Sequence, residues 1–189
     1  MRRVWLQDVH VLDAPPDVAL PDLALARPVS DPDRTALISA DGVYRYRLGR
    51  AWGNGPLAAF VMLNPSTADG EVDDPTIRRC IGFAKSWGCG SLVVVNLYAL
   101  RATDPRELLT RPDPIGPENL FHVGAVAQGA DLLVCAWGAS IPPADLTHHK
   151  AISSALRRQG AYHLGLTKTG HPRHPLYLAA STPLTRWSP

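Results

Sequence analysis

Three short apolar runs without polar alternation constrain this fold most: LAAFVML (57–63), SLVVVNLYAL (91–100) and DLLVCAWG (131–138). A strand that is apolar at nearly every position must be covered on both faces, which is the condition of a parallel sheet between helix layers. Between the runs lie segments of helical period. PTIRRCIGFAKSW (75–87) places Ile77, Cys80, Ile81 and Ala84 at helical spacing, with Asp73 or Asp74 as cap and Pro75 in the first turn. Further helices are predicted from near Asp104–Pro105, from near Pro117–Glu118 and over 144–158, and AYHLGL (161–166) reads as a fourth strand. Strands separated by helices imply right-handed crossovers. The predicted class is therefore α/β, a three-layer α/β/α sandwich around a central, mostly parallel four-stranded sheet. An Asp41–Gly42 turn between two extended runs adds an N-terminal β-hairpin. Residues 1–33, aperiodic and rich in Pro and Asp, read as an irregular lead-in to a single domain over 34–189.

Composition narrows the function classes. At 189 residues, 46% hydrophobic and 19% charged, the chain suits one globular core. Its 19 Lys+Arg against 17 Asp+Glu leave a formal charge of +2, which excludes a strongly basic coat but not a local basic cleft. The cysteines, Cys80, Cys89 and Cys135, form no C-x-x-C and cannot supply a four-thiolate metal or iron–sulfur site; they read as buried free thiols in a reducing cytoplasm. No apolar run reaches the roughly 18 residues of a membrane span, and the N-terminus does not read as a signal peptide. A cytoplasmic monomer without metal or cofactor is the expectation. A Walker loop, a G-x-G-x-x-G and a G-x-S-x-G elbow are all missing, which argues against NTPase, dinucleotide and serine-nucleophile chemistry.

In open α/β sheets, ligands sit beyond the carboxyl ends of the strands. Four polar clusters fall at such ends: Asn64-Pro65-Ser66-Thr67, Asn96, Trp137-Gly138, and Thr167 through His174. Pro65 fixes an extended exit for Asn64, which either forms a turn capped by Ser66 or Thr67 or orients a water or ligand. Asn96 follows three valines, where an unsatisfied amide costs about 1–3 kcal/mol. Either the protein satisfies it internally, or it faces a pocket and reads a ligand through its donor–acceptor pair. His171 and His174 flank Pro172-Arg173; the proline breaks helical spacing and no carboxylate lies nearby, so a metal pair is disfavoured. One of the two histidines reads as a general acid or charge stabiliser beside Lys168 and Arg173, a cluster that also suits a phosphate. Asp73, Asp74 and Asp104 are helix-start residues, with chemistry open for one of them. Trp87, Trp137 and Tyr98 are expected in the core.

These residues carry two resemblances. YRYRLGRAW (44–52), MLNPSTAD (62–69), DPTIRRC (74–80), NLYALRATDP (96–105), DPIGPEN (113–119) and AWG (136–138) resemble a bacterial and phage family, domain of unknown function 1643. More distantly, LNPS (63–66), VNLYALRAT (95–103), LLVCAWGA (132–139) and TKTGHPRHPLYL (167–178) are similar, in order, to the motifs of the uracil-DNA glycosylase superfamily. That second resemblance implies a uracil-DNA glycosylase-like fold and a DNA base glycosylase that hydrolyses the N-glycosidic bond of a deaminated or modified base. It implies that Asn64 orients the attacking water, that Asn96 reads the base edge, with Pro65 and Ser66 as pocket floor, and that His174 or His171 supports charge on the leaving base. His174 fits the H-P-x-x-L form better, and His171 stays open.

The same resemblance makes DNA, single- or double-stranded, the partner, with a nucleotide as the alternative. Lys168, Arg173, Arg101 and Arg78 are the expected phosphate contacts, and Arg45, Arg47 and Arg50 with Arg78 and Arg101 are read as an anion site particular to the nearer family. The sequence departs from the glycosylase pattern at Ser66, where Gly or Tyr usually follows the proline, and in having no stacking aromatic shortly after the first motif. An Asn at the water position is no strong base, so such an enzyme relies on positioning and leaving-group stabilisation. A nucleotide- or modified-base-processing enzyme on the same fold and a non-catalytic nucleic-acid or nucleotide binder are the competing readings.

Overall fold

A computed structural model describes residues 34–66, 68, 72–139 and 146–188. The expected lead-in over 1–33, and Thr67 as a cap, lie outside the described residues. The strands are β1 Arg34–Ile38, β2 Arg45–Ala51, β3 Leu57–Met62, β4 Ser91–Asn96, β5 Leu132–Cys135, β6 Tyr162–His163 and β7 Thr185–Arg186. The helices are α1 Pro75–Ser86, α2 Asn119–Gly129 and α3 Leu146–Arg158, with 3₁₀ turns at Pro105–Leu109 and Pro175–Tyr177.

The fold is mixed α/β, built on one seven-stranded sheet in the order β1-β2-β4-β3-β5-β6-β7. The expectation of a four-stranded sheet is corrected. The Asp41–Gly42 hairpin is no appendage, because β2 pairs antiparallel with β4 and carries β1 with it, and the C-terminal segment adds β7 beside β6. Between these flanks, β4-β3, β3-β5 and β5-β6 pair in parallel. Two runs also end earlier than their apolar length predicts. β4 stops at Asn96 because the Asn119 side chain, fully buried, donates to the carbonyls of Asn96 and Leu97 at 3.0 Å each and takes the place of a neighbouring strand. β6 stops at His163 because its ring accepts from the Gly165 N–H at 2.9 Å and Gly165, at φ +95°, turns the chain away.

The two-sided burial read from the sequence is visible in β3. Ala58, Phe60 and Met62 belong to one apolar cluster with Ile77, Cys80, Phe83 and Ala84 of α1. Ala59 and Val61 belong to the other, with Val123, Val126 and Ala127 of α2 and Ile152 and Leu156 of α3. Burying the larger of these side chains, such as Phe60, Val61, Ile77 and Leu156, contributes about 1.5–3 kcal/mol each. The sequence left two caps open for α1, and Asp74 takes the role: its Oδ1 accepts from the Ile77 N–H at 2.8 Å, with Pro75 following. Asp73 instead bridges Arg34 and Arg50 at 2.9 and 2.8 Å. The helix expected from Asp104 is only a 3₁₀ turn, capped by that aspartate. All three cysteines are buried and free. Among the described residues, no helix is long and apolar enough to cross a membrane.

A single irregularity in β2 redirects one of its arginines. Arg47 pairs with Leu37 but Arg45 pairs with Ile38, so Tyr46 is the extra residue of a β-bulge. Past the bulge, Leu48 joins the α1-side cluster, while Tyr46 packs 5.0 Å from the His122 ring of α2. The bulge changes the face on which Arg45 lies, and the antiparallel run of β2 against β4 places this first residue at the carboxyl end of the parallel strands.

Candidate functional site

A cleft of about 530 Å³ opens at the carboxyl ends of β3, β4 and β5. Each of the four polar clusters singled out in the sequence contributes to it: Asn64 and Ser66 after β3, Asn96 at the end of β4, Trp137-Gly138 after β5, and Thr167, Arg173 and His174 from the terminal loop. The first turn of α1 closes one side through Asp74, Thr76 and Ile77. A parallel sheet brings these segments together because its strands all end at the same edge.

Asn64 is anchored through its amide nitrogen, which donates to the carbonyls of Ala102 at 2.8 Å and Pro65 at 3.1 Å. Both N–H groups are thereby spent, and the oxygen is left as the acceptor Asn64 can offer to a water or ligand. Pro65 is buried and acts through its backbone, whose carbonyl also accepts from the Ala102 N–H at 2.9 Å. Asn96 is 1% exposed, and its Nδ2 has no acceptor among the described residues. The internal satisfaction that the sequence left open is therefore missing for that nitrogen. Trp137, 1% exposed, likewise leaves its indole N–H without an acceptor among those residues. Two buried donors without an acceptor among the described residues thus border one cleft.

The histidines part company. His174 lines the cleft and caps the Pro175–Tyr177 turn, its Nδ1 accepting from the Leu176 N–H at 3.3 Å. That bond leaves the proton of the neutral ring on Nε2. Burial holds the His174 pKa below the usual histidine value, opposed by the nearby Asp74 carboxylate. His174 also sits close over Gly138, whose backbone at φ +80° and lack of a side chain make room: a Cβ there would lie 3.3 Å from the His174 Cβ. His171 does not line the cleft. Its ring packs edge-on to His149 at 5.1 Å, and His149 in turn meets the Trp137 ring at 5.4 Å.

The expected cationic contacts are dispersed. Of Lys168, Arg173, Arg101 and Arg78, only Arg173 lines the cleft. Arg78 donates to the Asp73 carbonyl at the start of α1, Arg101 ties down the hairpin by donating to the Gly42 carbonyl at 3.1 Å, and Lys168 is exposed on the loop. Arg50 belongs to the Asp73 bridge. Arg45 is the arginine of the anion-site group that does reach the cleft: it is 2% exposed, and its guanidinium donates to the Ala68 carbonyl at 2.5 Å.

The sequence did not single out Tyr177, and it left chemistry open among Asp73, Asp74 and Asp104, of which Asp74 lines the cleft. Tyr177 is 83% exposed at the cleft mouth, its ring 6.4 Å from that of His174, and so offers the aromatic surface that no residue near the first motif supplied. The signal available was its place within HPLYL, between residues that turn inward.

Comparison with curated proteins and with solved structures gives no match. The family model described as protein of unknown function, DUF1643, matches residues 45–176, a stretch that begins at Arg45, beside the bulge, and runs past His174. With more than two thirds of its length matched, the chain belongs to the DUF1643 family of proteins of unknown function.

Proposed function

We propose that this chain is a DNA base glycosylase-like hydrolase that cleaves the N-glycosidic bond of a deaminated or modified base. The observation that carries the reading is the Asn96 amide, buried at a strand end on a cleft wall with no acceptor for its nitrogen among the described residues. Leaving a donor so placed costs about 1–3 kcal/mol, a cost that a ligand acceptor removes. A base carbonyl is such an acceptor, and an extruded base is read by hydrogen bonds to its polar edge. The parallel run β4-β3-β5-β6, with α1 in one apolar cluster and α2 and α3 in the other, supports the three-layer arrangement implied by the glycosylase resemblance.

The remaining groups fit the charge changes of that reaction. Breaking the bond builds positive character on the sugar and negative charge on the departing base. His174, held with its proton on Nε2 and kept neutral by burial, is a donor for the leaving base, and the Asn64 oxygen orients the attacking water. One observation favours a second reading, a nucleotide or modified-base substrate. Arg45 and Arg173 line the cleft while Lys168, Arg78 and Arg101 do not, which suits a compact anion better than a long backbone track.

The test is base release from labelled single- and double-stranded oligonucleotides carrying uracil, hypoxanthine, xanthine or 5-hydroxymethyluracil, with protein in excess. Release by the wild type that disappears in Asn64→Ala and Asn96→Ala is the expected result. No release from any oligonucleotide refutes the glycosylase reading for these bases, and mononucleotide binding in the same preparation then selects the second.

A further inference from the structure

An N-glycosidase whose water rests on an asparagine lacks a proton acceptor, and Asp74 is a carboxylate on the wall of the same cleft. Its Oδ1 is engaged by the Ile77 N–H at 2.8 Å, while its Oδ2 takes no hydrogen bond or ion pair among the described residues. The side chain is half-buried and lines the same cleft as Asn64, Asn96 and His174. The capping bond fixes the carboxylate's orientation, since Oδ1 is held by the helix and Oδ2 is left to project. The Asn96 donor on the same cleft, buried and without an acceptor among the described residues, points to a ligand there independently of the aspartate.

We infer that Asp74, beyond capping α1, is the catalytic residue that accepts the proton of the attacking water, an inference that rests on the glycosylase reading. In the step it serves, the water oxygen bonds to the anomeric carbon as the carbon–nitrogen bond breaks. The electron pair of that bond goes to the base nitrogen, where the His174 Nε2–H stabilises it, and the water proton passes to the Asp74 carboxylate. The other candidate acids are placed for other work: Asp73 is held between two arginines, and Asp104 caps an exposed turn and bridges Arg106 at 2.6 Å. The titratable groups that sense Asp74 are Cys80 on its own helix, whose thiol burial pushes far up, and His174 from the terminal loop.

Asp74→Asn tests the catalytic role apart from the structural one, because asparagine caps a helix as well as aspartate does. Single-turnover release from the oligonucleotide that the wild type processes is followed as a function of pH, with thermal unfolding and oligonucleotide affinity measured on the same samples. The expected loss is about 10²–10⁴-fold at neutral pH, the usual contribution of a positioned base. Unfolding temperature and affinity stay unchanged, and the fall in rate that acidification causes in the wild type is absent from the variant. Asp74→Ser, a second uncharged cap, shows the same loss. Wild-type release that Asp74→Asn matches in rate and pH profile overturns this inference and leaves the glycosylase reading standing. No release by the wild type from any oligonucleotide overturns both.

Discussion

If Asn96 is kept for a ligand, the free protein is less stable than it need be, and that is measurable without knowing the substrate. Its Nδ2 is buried with no acceptor among the described residues, at the end of a strand whose neighbours are apolar. Leucine has the same branched heavy-atom skeleton, a somewhat larger volume and no polar atoms, so Asn96→Leu removes the unpaired donor and opens no cavity, and the cleft beside it takes up the added bulk. The penalty relieved is about 1–3 kcal/mol. For a chain of this size each kcal/mol moves the Tm by roughly 2–4 °C, which gives a rise of about 2–12 °C. Urea and thermal unfolding of wild type and variant give the answer, and the same variant must lose base release. A variant less stable than the wild type by about 2 kcal/mol or more, the cost of removing a satisfied buried hydrogen bond, would refute the reasoning. It would mean that the amide is engaged in the fold, and the cleft would lose its strongest sign of a ligand.

The remaining predictions concern the walls of the same cleft. Gly138→Ala forces a left-handed residue and brings a methyl group 3.3 Å from the His174 Cβ, so it costs about 1–2 kcal/mol in urea unfolding and displaces the His174 ring, seen as a changed imidazole NMR shift. Tyr177→Ala removes an 83% exposed ring, so stability moves by less than about 0.5 kcal/mol. Oligonucleotide affinity in a titration falls by about 1–3 kcal/mol if a base stacks there. His149 is 6% exposed, and burial first, then His171 and His148, lower its pKa from 6.5 to about 4. The folded value lies below the unfolded one, so on acidification the unfolded chain takes the proton first. Stability is full above pH 6.5 and is lost progressively down to about pH 4, by an amount on the order of 3 kcal/mol. His149→Phe flattens that limb of the stability–pH curve, and an unchanged limb assigns it to other groups.

What was legible in the sequence and what was not separate along one physical line. Burial leaves a local trace: an uninterrupted apolar run states that both faces are covered, and an amide at the end of such a run stands out against it, so the place of Asn64 and Asn96 on the cleft is legible from position alone. Contributions set by register leave none. Arg45 reads as one arginine among several in YRYRLGRAW, and the extra residue at Tyr46 together with the antiparallel run of β2 against β4 sends it to the cleft while Arg47 and Arg50 go elsewhere. The extent of the sheet was hidden for the same reason, since β2 joins β4 by an antiparallel pairing that no spacing encodes.

The choice between His171 and His174 obeys this division too. Both sit in one loop with equal local chemistry, and what separates them is the capped turn at Pro175–Tyr177 and the absence of a side chain at Gly138, on a different strand end far upstream. Asp74 shows the converse. The sequence leaves the cap of α1 open between Asp73 and Asp74; the structure gives it to Asp74, which accounts for one carboxylate oxygen and leaves the other unassigned. A capping residue on a ligand cleft is a carboxylate fixed in place by the helix it starts, with one oxygen still available. Such a residue is therefore a candidate for chemistry because of its structural role, and Asp74→Asn, which keeps the cap and removes the charge, is the substitution that separates the two.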